Sequence, residues 1–462
     1  MSHNALVHNH KPKPDLKRGR EFFYDLPTYN GGYVTYMNRP TIILGAGSAI
    51  EIDAPSTAKI TEEIIKPNKY INYWGHSFSD KKTYFTTTTR IYNTLKDCYP
   101  GVPNFEQIFH VLEMLSSYHW VWNEDCKNPN MYSIIAPFIN PTQAIVKPDE
   151  WKGLSSLISQ CQFDIMKMVN KYDANFCLEK ENNYLWYSDF WKKFSGFDLF
   201  NFNYDTTIEQ TIKEYNDGFV NSDDERFQIF DPYKLLSNSS YKICHTHGCI
   251  VYFPERYKDP NYNIYNRNSH DIYKWNNFNL VKGMADSSSG NNPTSQGGET
   301  LHIGSIITGL RKTDKLTISP YNFYHHYLNT SIMNNNALLI VGYSFGDLYV
   351  NDLIERMNQL HGDNKRIVII TFIKPYEIKE TDGTITKTFH GKEWDEKEIN
   401  DREFLFFKKM MRDDSFRLQE LDKTIKEEKS YTSKNGQVKL FVYGFKSAIQ
   451  NHSSEILDFL TE

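Results

Sequence analysis

This sequence of 462 residues lacks several features that identify common protein classes. Its six cysteines form no C-x-x-C pair, so we predict neither a zinc ribbon nor a disulfide framework. The net charge of −5 at pH 7 is not the basic excess of a dedicated nucleic-acid-binding domain. No stretch approaches the roughly 18 apolar residues of a membrane span, and the N-terminus lacks the apolar core of a signal peptide. We therefore expect a cytoplasmic protein that contacts neither membranes nor nucleic acids directly.

The sequence does contain a series of short apolar runs, several of which end in glycine, asparagine or histidine. The runs are TIIL at 41–44, FDLFNFNYD at 197–205, YKICHTHGCIVYF at 241–253, NALLIVGYSFGD at 336–347, RIVIITF at 366–372 and VKLFVYGF at 438–445. Such runs are typical of buried parallel strands, and stretches of helical periodicity separate them. The alternation predicts an α/β layered fold with a parallel sheet.

Helical periodicity dominates from about residue 104 to residue 191, which we interpret as a helical insertion. In NFEQIFHVLEML, Asn104 is a predicted N-cap with Gln107 as its capping-box partner. One apolar face of this helix comprises Phe105, Ile108, Phe109, Leu112 and Leu115. The first twenty residues have the composition of a flexible polar arm, and we place the N-terminal arm at residues 1–37. Residues 286–300 have the composition of a mobile loop. A partner-binding arm and a lid over the site are the alternatives.

The run TIIL leads into Gly45, Ala46 and Gly47, and helical spacing follows from residue 60. A strand that ends in two glycines and enters a helix can bring backbone N–H groups close to an anion. This turn lacks the third glycine of G-x-G-x-x-G and the Lys-Ser/Thr pair of a P-loop, which disfavours a dehydrogenase and an ATPase. A diphosphate cradle and a tight structural turn both remain open.

Glycine and polar residues also follow three later strands, at the positions where open α/β sheets place the groups that contact ligands. They are Asn203, Asp205, His247, Gly342, Ser344 and Asp347. The alternatives are that Asp205 and Asp347 cap the helices that follow them and that His247 is a hydrogen-bonded loop histidine.

In this order, the motifs GAGSA, FNYD, HG and GYSFGD resemble the motif series of sirtuin-like Rossmann domains. They are most similar to the branch found in prokaryotic anti-phage defence systems, in which the domain destroys NAD+. NFEQIFHVLEML is similar to the helical-insertion motif of that branch, and ITGLRKTDKLTISPYNFYHHYL to the segment before its last nucleotide-binding strand. The resemblance covers residues 41–372. It implies a Rossmann-like parallel sheet with helices on both faces, formed by residues 38–90 and 195–462, and a helical module at residues 91–194.

The same resemblance assigns roles to individual residues, with NAD+ as the substrate. It implies that the diphosphate lies at Gly45, Ala46, Gly47 and Ser48, that Asn203, His247 and Asp205 are catalytic, and that Gly342, Tyr343, Ser344 and Asp347 bind the cofactor. In the family pattern Gly-Ala-Gly-x-Ser the serine comes one place later, and here Ala49 occupies its position. The two C-x-x-C pairs of the zinc module in protein deacylases are absent from the sequence.

The residue types suit cleavage of an N-glycosidic bond without a metal. An asparagine amide such as that of Asn203 can hold a ribose or a water by hydrogen bonds, and a neutral His247 can accept a proton. Asp205 is a candidate to orient either group. His245 and His247 form an H-x-H pair that is the rival metal site, but no third ligand is evident. Cys244 and Cys249 have no visible activating partner, so we expect buried structural thiols.

We therefore predict an NAD+ glycohydrolase of anti-phage defence that depletes NAD+ by releasing nicotinamide and ADP-ribose. Such an activity must be silent in a healthy cell, so we expect gating by homo-oligomerisation or by a partner protein. The resemblance implies a translocase ATPase, a nucleotide-processing protein or an Argonaute-like protein as that partner. An NAD-dependent protein deacylase and a non-catalytic NAD or ADP-ribose-binding scaffold are the alternatives.

Overall fold

The computed structural model describes residues 39–66, 87–98, 101–119, 154–254, 272–281, 304–310, 312–316, 318–372, 376–379, 385–389, 431–433 and 435–461. The predicted N-terminal arm at 1–37 and the predicted loop at 286–300 lie outside these residues.

Strands and helices follow one another along these residues, and their bounds in chain order are these. The strands are β1 Thr41–Leu44, β2 Phe197–Asn201, β3 Phe219–Asn221, β4 Phe227–Phe230, β5 Tyr241–His245, β6 Tyr252–Pro254, β7 Ile272–Trp275, β8 Ala337–Val341, β9 Arg366–Ile370, β10 Tyr376–Lys379, β11 Ile385–Phe389, β12 Tyr431–Thr432 and β13 Val438–Phe441. The α-helices are α1 Thr57–Ile64, α2 Thr87–Cys98, α3 Phe105–His119, α4 Leu154–Glu179, α5 Leu185–Lys192, α6 Thr207–Thr211, α7 Pro232–Leu236, α8 Lys312–Lys315, α9 Tyr321–Asn334, α10 Leu348–His361 and α11 Phe445–Thr461. Ala46–Ile52 and Gly362–Asn364 form 3₁₀ helices.

The main sheet has the strand order β5-β2-β1-β8-β9-β13-β12, and all neighbours are parallel except the edge pair β12 and β13. Every residue of β1, β2 and β8 is buried, which explains why these strands are nearly continuous apolar runs. The predicted α/β fold with a parallel sheet is confirmed.

The strand order reverses direction at β1. From β1 the chain continues on one side through β2 and β5, and on the other side through β8, β9 and β13. This is the order of a Rossmann fold, in which ligands bind at the carboxyl ends of the strands where the order reverses. The crossover from β1 to β2 and the crossover from β8 to β9 run in opposite directions across the sheet. Because both crossovers are right-handed, α5 and α10 lie on opposite faces of the sheet. On its own face α10 packs with α9, and α5 packs with α11.

Helices α1 to α5 lie in the connection between β1 and β2, where the sequence predicts a helical insertion. The predicted start of α3 is confirmed, because Asn104 Oδ1 accepts from Glu106 N at 3.0 Å and Gln107 Oε1 accepts from Asn104 N at 2.8 Å. The apolar face of α3 packs against α4 and α1. The predicted module boundary at residue 91 falls within α2, and the division of the chain into domains remains a prediction.

In two of the predicted runs the strand ends before the candidate polar residues, as the sequence indicated. The run at 197–205 ends as a strand at Asn201, and the run at 241–253 divides into β5 and β6. These two strands belong to different sheets, because β6 pairs with β7 in a second, antiparallel sheet of order β3-β4-β7-β6. The turn between β5 and β6 contains Gly248, whose φ of +90° favours glycine. Among the described helices, none is long and apolar enough to cross a lipid bilayer.

Candidate functional site

The glycine turn after β1 packs directly against the turn after β8, at the position where the strand order reverses. Gly45 N donates to Val341 O and Gly47 N donates to Gly342 O, both at 2.9 Å. A Cβ atom on Gly45 would lie 2.5 Å from Tyr343 Cα, and one on Gly47 would lie 2.8 Å from Gly342 Cα. Gly342 itself has φ +60°. These glycines therefore allow two backbone turns to approach each other closely, as the structural-turn alternative requires.

This packing limits how the turn can bind an anion. Ser48 N donates to Gly45 O at 3.0 Å, so the amides of Gly45, Gly47 and Ser48 all have protein acceptors. The amide of Ala46 has no acceptor among the described residues, and Ala46 is exposed. An anion at this turn would therefore contact the Ala46 amide and not a row of free N–H groups.

Ser48 connects the glycine turn to Asn203. The buried Ser48 hydroxyl donates to Gly45 O at 2.8 Å and accepts from Asn203 Nδ2 at 3.1 Å. A hydroxyl has one proton, and because Gly45 O receives it, Ser48 can only accept from Asn203. The amide of Asn203 is thereby oriented with Nδ2 toward Ser48 and Oδ1 left for another partner. The early serine of this sequence thus has a specific position in the site.

Asn203 and His247 follow strand ends that lie side by side. β2 and β5 pair in parallel with Asn201 opposite His245, and Thr246 N donates to Asn201 O at 3.0 Å. Asn203 and His247 each lie two residues beyond this register pair. Asn203 N also donates to Asn201 Oδ1 at 2.9 Å, which fixes the bend after β2. The two residues therefore leave adjacent strands at the same edge of the sheet, as predicted for catalytic partners.

The imidazole of His247 is buried and neutral. Its ring packs edge to face on Phe202 at 4.7 Å between centroids, and Phe202 also packs on Tyr343 at 5.7 Å. His247 Nε2 lies 3.5 Å from Asp347 Oδ2, which is longer than a hydrogen bond, and Nε2 has no hydrogen-bond partner among the described residues. Burial and the positive charge of Lys312 lower the pKa of His247 to about 3, although Asp347 acts in the opposite direction. His247 is therefore neutral at neutral pH, and burial makes it a weaker base than a free imidazole.

Asp347 caps the helix that follows it, as one alternative for this residue predicted. Asp347 Oδ1 accepts from Tyr349 N at 3.0 Å and from Val350 N at 3.4 Å at the start of α10. Tyr343 is buried, and its hydroxyl donates to Asp347 O at 3.1 Å. Ser344 is exposed beside it. The cap leaves Oδ2 of Asp347 directed at His247.

The comparison with protein families agrees with this arrangement. Residues 198–400 match the family model described as a SIR2-like domain. These matched residues, 203 of the 462, are similar to a SIR2-like domain. The match includes Asn203, His247 and Asp347, and it begins after the glycine turn at residues 45–48. It supports a sirtuin-related, NAD-binding domain of an NAD-utilising enzyme family. A search of curated proteins found no match.

Asp205 lies within the SIR2-like match but does not face its histidine. Tyr172 donates to Asp205 Oδ2 at 2.6 Å, and Oδ1 accepts from Thr207 N at 3.1 Å and from Thr207 Oγ1 at 2.5 Å. Both carboxylate oxygens are therefore used in capping α6 and holding α4. No contact among the described residues joins Asp205 to Asn203 or His247, and its catalytic role remains a prediction.

The other candidates around β5 are buried structural groups. His245 Nε2 lies 2.5 Å from Glu209 Oε1, away from His247, and although burial opposes its protonation, Glu209 raises the pKa of His245. Burial raises the pKa of the Cys244 and Cys249 thiols, as expected for inert cysteines. The search of the described residues found no group of three or more His, Cys, Asp or Glu side chains that could hold a metal.

The SIR2-like match also contains a segment that the sequence identified only as the approach to the last nucleotide-binding strand. Ile307 N donates to His247 O at 2.8 Å, which holds the backbone of the histidine. Farther along, Gly309 N donates to Glu106 Oε2 at 2.5 Å, and Lys312 Nζ lies 3.1 Å from Glu106 Oε1. Glu106 is on α3, so an acidic residue of the insertion holds the segment that supports His247.

A second contact of α3 with this segment is buried. Lys315 forms an ion pair with Glu113 of α3, and Lys315 Nζ also donates to Thr308 O at 2.5 Å. Gly309 has φ +84°, and a Cβ atom there would lie 2.8 Å from Glu113 Oε2. The paired residues lie about two hundred positions apart (202 for Lys315 and Glu113), so sequence spacing gives no sign of these contacts.

Proposed function

We propose that this protein is an NAD+ glycohydrolase that cleaves NAD+ into nicotinamide and ADP-ribose. The observation that carries the proposal is the placement of Asn203 and His247, each two residues beyond the register pair Asn201 and His245 of β2 and β5. The pair lies at the edge of the sheet where a Rossmann fold binds nucleotides, beside the two interlocked glycine turns. The SIR2-like match supports NAD+ as the ligand.

The reaction needs few groups from the protein. The bond between C1′ of the ribose and N1 of nicotinamide breaks, and its electron pair stays with nicotinamide, which leaves as a neutral molecule. A water oxygen bonds to C1′, and the proton of that water goes to the neutral imidazole of His247. General-base catalysis contributes about 10² to 10⁴ in rate when the pKa of the base lies near the working pH, and Asp347 acts to raise the pKa of His247 in that direction. The low pKa of His247 keeps the imidazole unprotonated before each turnover.

Asn203 supplies an oriented acceptor to the same site. Since its Nδ2 is bound to Ser48, its Oδ1 is directed away from Ser48 and can accept from a ribose hydroxyl or from the attacking water. An amide oxygen fixed before the substrate arrives also stabilises the positive charge that develops on the sugar.

We place the activity in anti-phage defence in the cytoplasm, gated by oligomerisation or by a partner protein. The resemblance of the motif series to the NAD-destroying branch of the sirtuin-like domains supports this assignment. The absence of the two C-x-x-C pairs from the sequence argues against a protein deacylase.

The test is nicotinamide release from NAD+, measured by chromatography with the full chain alone and with candidate partner proteins. We expect release by the wild type and loss of release in Asn203→Ala and His247→Ala, with unchanged circular dichroism. His326→Ala removes an exposed imidazole of α9 and is the matched control. Equal rates in wild type and both site variants would reject the assignment, binding without release would favour a scaffold, and turnover of acyl peptides would favour a deacylase.

A further inference from the structure

We propose that Asp347 is the positioning residue of the catalytic histidine. Its carboxylate holds the proton of His247 on Nε2, so that Nδ1 is the nitrogen that accepts the proton of the attacking water. This inference rests on the proposed function. It assigns the orienting role to the carboxylate after β8 and not to Asp205.

The two oxygens of Asp347 have separate partners. Oδ1 accepts from the amides of Tyr349 and Val350 at the start of α10, at 3.0 and 3.4 Å. Oδ2 lies 3.5 Å from His247 Nε2. The helix cap therefore fixes the carboxylate while one oxygen faces the imidazole. The hydroxyl of Tyr343 adds a second restraint through the backbone of Asp347, since it donates to Asp347 O and accepts from Asp347 N at 3.1 and 3.2 Å.

Two further contacts fix the ring and the backbone of His247. Phe202 packs against its ring, and Ile307 N donates to its backbone carbonyl. The Nε2 atom is buried, and Asp347 is the hydrogen-bonding group that faces it. The gap of 3.5 Å needs a small closure to become a hydrogen bond, and such contacts in enzymes tighten when the substrate binds.

The tautomer follows from the chemistry of the facing atoms. An ionised carboxylate only accepts hydrogen bonds, so the nitrogen that faces it must carry the proton. A neutral imidazole has one protonated nitrogen, which leaves Nδ1 of His247 as the acceptor. Although burial acts against its ionisation, the nearby His247 and the charge of Lys312 lower the pKa of Asp347, so the carboxylate is ionised at neutral pH.

The charges around the imidazole come from several elements. Lys312 of α8 and His325 of α9 disfavour its protonation, and Asp347 of α10 favours it. Asp205 cannot replace Asp347, because both of its oxygens already bind Tyr172 and Thr207.

The experiment compares Asp347→Asn with the wild type in two measurements. Asparagine still caps a helix, so the variant is expected to fold. With its Oδ1 on the amides of α10, it presents Nδ2 to His247, and two donors then face each other unless the proton moves to Nδ1. We expect nitrogen-15 spectra of selectively labelled histidine to show Nε2–H in the wild type and Nδ1–H in the variant, with His247→Asn identifying the signal.

The second measurement is nicotinamide release. With the wrong nitrogen protonated, we expect kcat to fall by about 10² to 10⁴ while KM changes less than about threefold. Asp231→Asn is the matched control, because Asp231 caps α7 through Tyr233 N at 2.9 Å and makes no hydrogen bond or ion pair with a site residue in the described part of the chain. We expect it to keep the wild-type kcat.

Two outcomes would overturn the proposal. One is Nδ1–H in the wild-type protein, and the other is a rise in KM with unchanged kcat in Asp347→Asn, which would assign Asp347 to substrate binding alone. The spectra are recorded without NAD+, so they decide on the pair even if the wild type releases no nicotinamide. Absence of release both alone and with the candidate partner proteins would reject the glycohydrolase, and the tautomer would still test the Asp347–His247 geometry.

Discussion

Burial of a neutral His247 has a consequence for stability that can be measured without any ligand. The pKa of His247 is about 3 in the folded chain against 6.5 for an unperturbed histidine. Below pH 6.5 the unfolded chain binds a proton at this residue and the folded chain does not, so protonation favours unfolding. The stabilising contribution is therefore fully present above pH 6.5 and is lost as the pH falls toward about 3.

The size of the effect follows from the difference in pKa. A pH of 5 lies about 1.5 units below the pKa of the imidazole in the unfolded chain. At about 1.36 kcal/mol per unit, this difference lowers the free energy of unfolding by about 2 kcal/mol. In His247→Asn this loss disappears. With a urea slope of about 3 kcal/mol per M, the midpoint difference between variant and wild type changes by about 0.7 M between pH 7 and pH 5.

Urea unfolding followed by circular dichroism at the two pH values tests this prediction. Comparison of variant and wild type cancels other titrating groups, including Asp173, whose pKa burial raises to about 7. His326→Asn, which removes an exposed imidazole, is treated in the same way as a control. If the midpoint difference between His247→Asn and the wild type is the same at pH 7 and pH 5, the pKa of His247 is not lowered and the imidazole is not buried in its neutral form.

Three further predictions concern the framework of the site. Gly342→Ala should lower the free energy of unfolding by more than the roughly 1 kcal/mol of a left-handed non-glycine residue, because its Cβ would lie 2.1 Å from Ser48 N; an unchanged melting temperature would contradict this packing. Ser48→Ala should cost about 1 kcal/mol and slow nicotinamide release, but should have no further effect on release in an Asn203→Ala background; an additive effect would mean that Ser48 does not act through Asn203. Lys315→Met should cost about 3 kcal/mol in thermal or urea unfolding, because it removes the cation from the buried carboxylate of Glu113, and Glu113→Leu should recover part of that loss in the double variant; no recovery would contradict the pairing.

The sequence was sufficient to predict the sheet and the strand ends that carry the site. Buried parallel strands are apolar on both faces, so their ends are marked by the first glycine or polar residue, and Asn203 and His247 were chosen as candidates in this way. Their catalytic roles, which the resemblance implies, remain a prediction. The start of α3 could also be predicted from the sequence, because a capping box depends on residues only three positions apart.

The roles of the two aspartates could not be separated in the same way. Asp205 and Asp347 each precede a helix and each bind its first amides, so their local patterns are alike. What distinguishes them is the partner of the second carboxylate oxygen, which is Tyr172 for one and His247 for the other. Those partners are set by the arrangement of distant elements, and Lys312 was missed for the same reason.

Glu106 connects the helical insertion to the backbone of His247. Its two oxygens hold Gly309 and Lys312, and the chain that leads back from Gly309 supports His247 through Ile307. A protein that bound the insertion and displaced α3 would also shift the backbone of His247, without contacting the candidate site itself. Control of this kind would need a displacement of one helix and no rearrangement of the sheet.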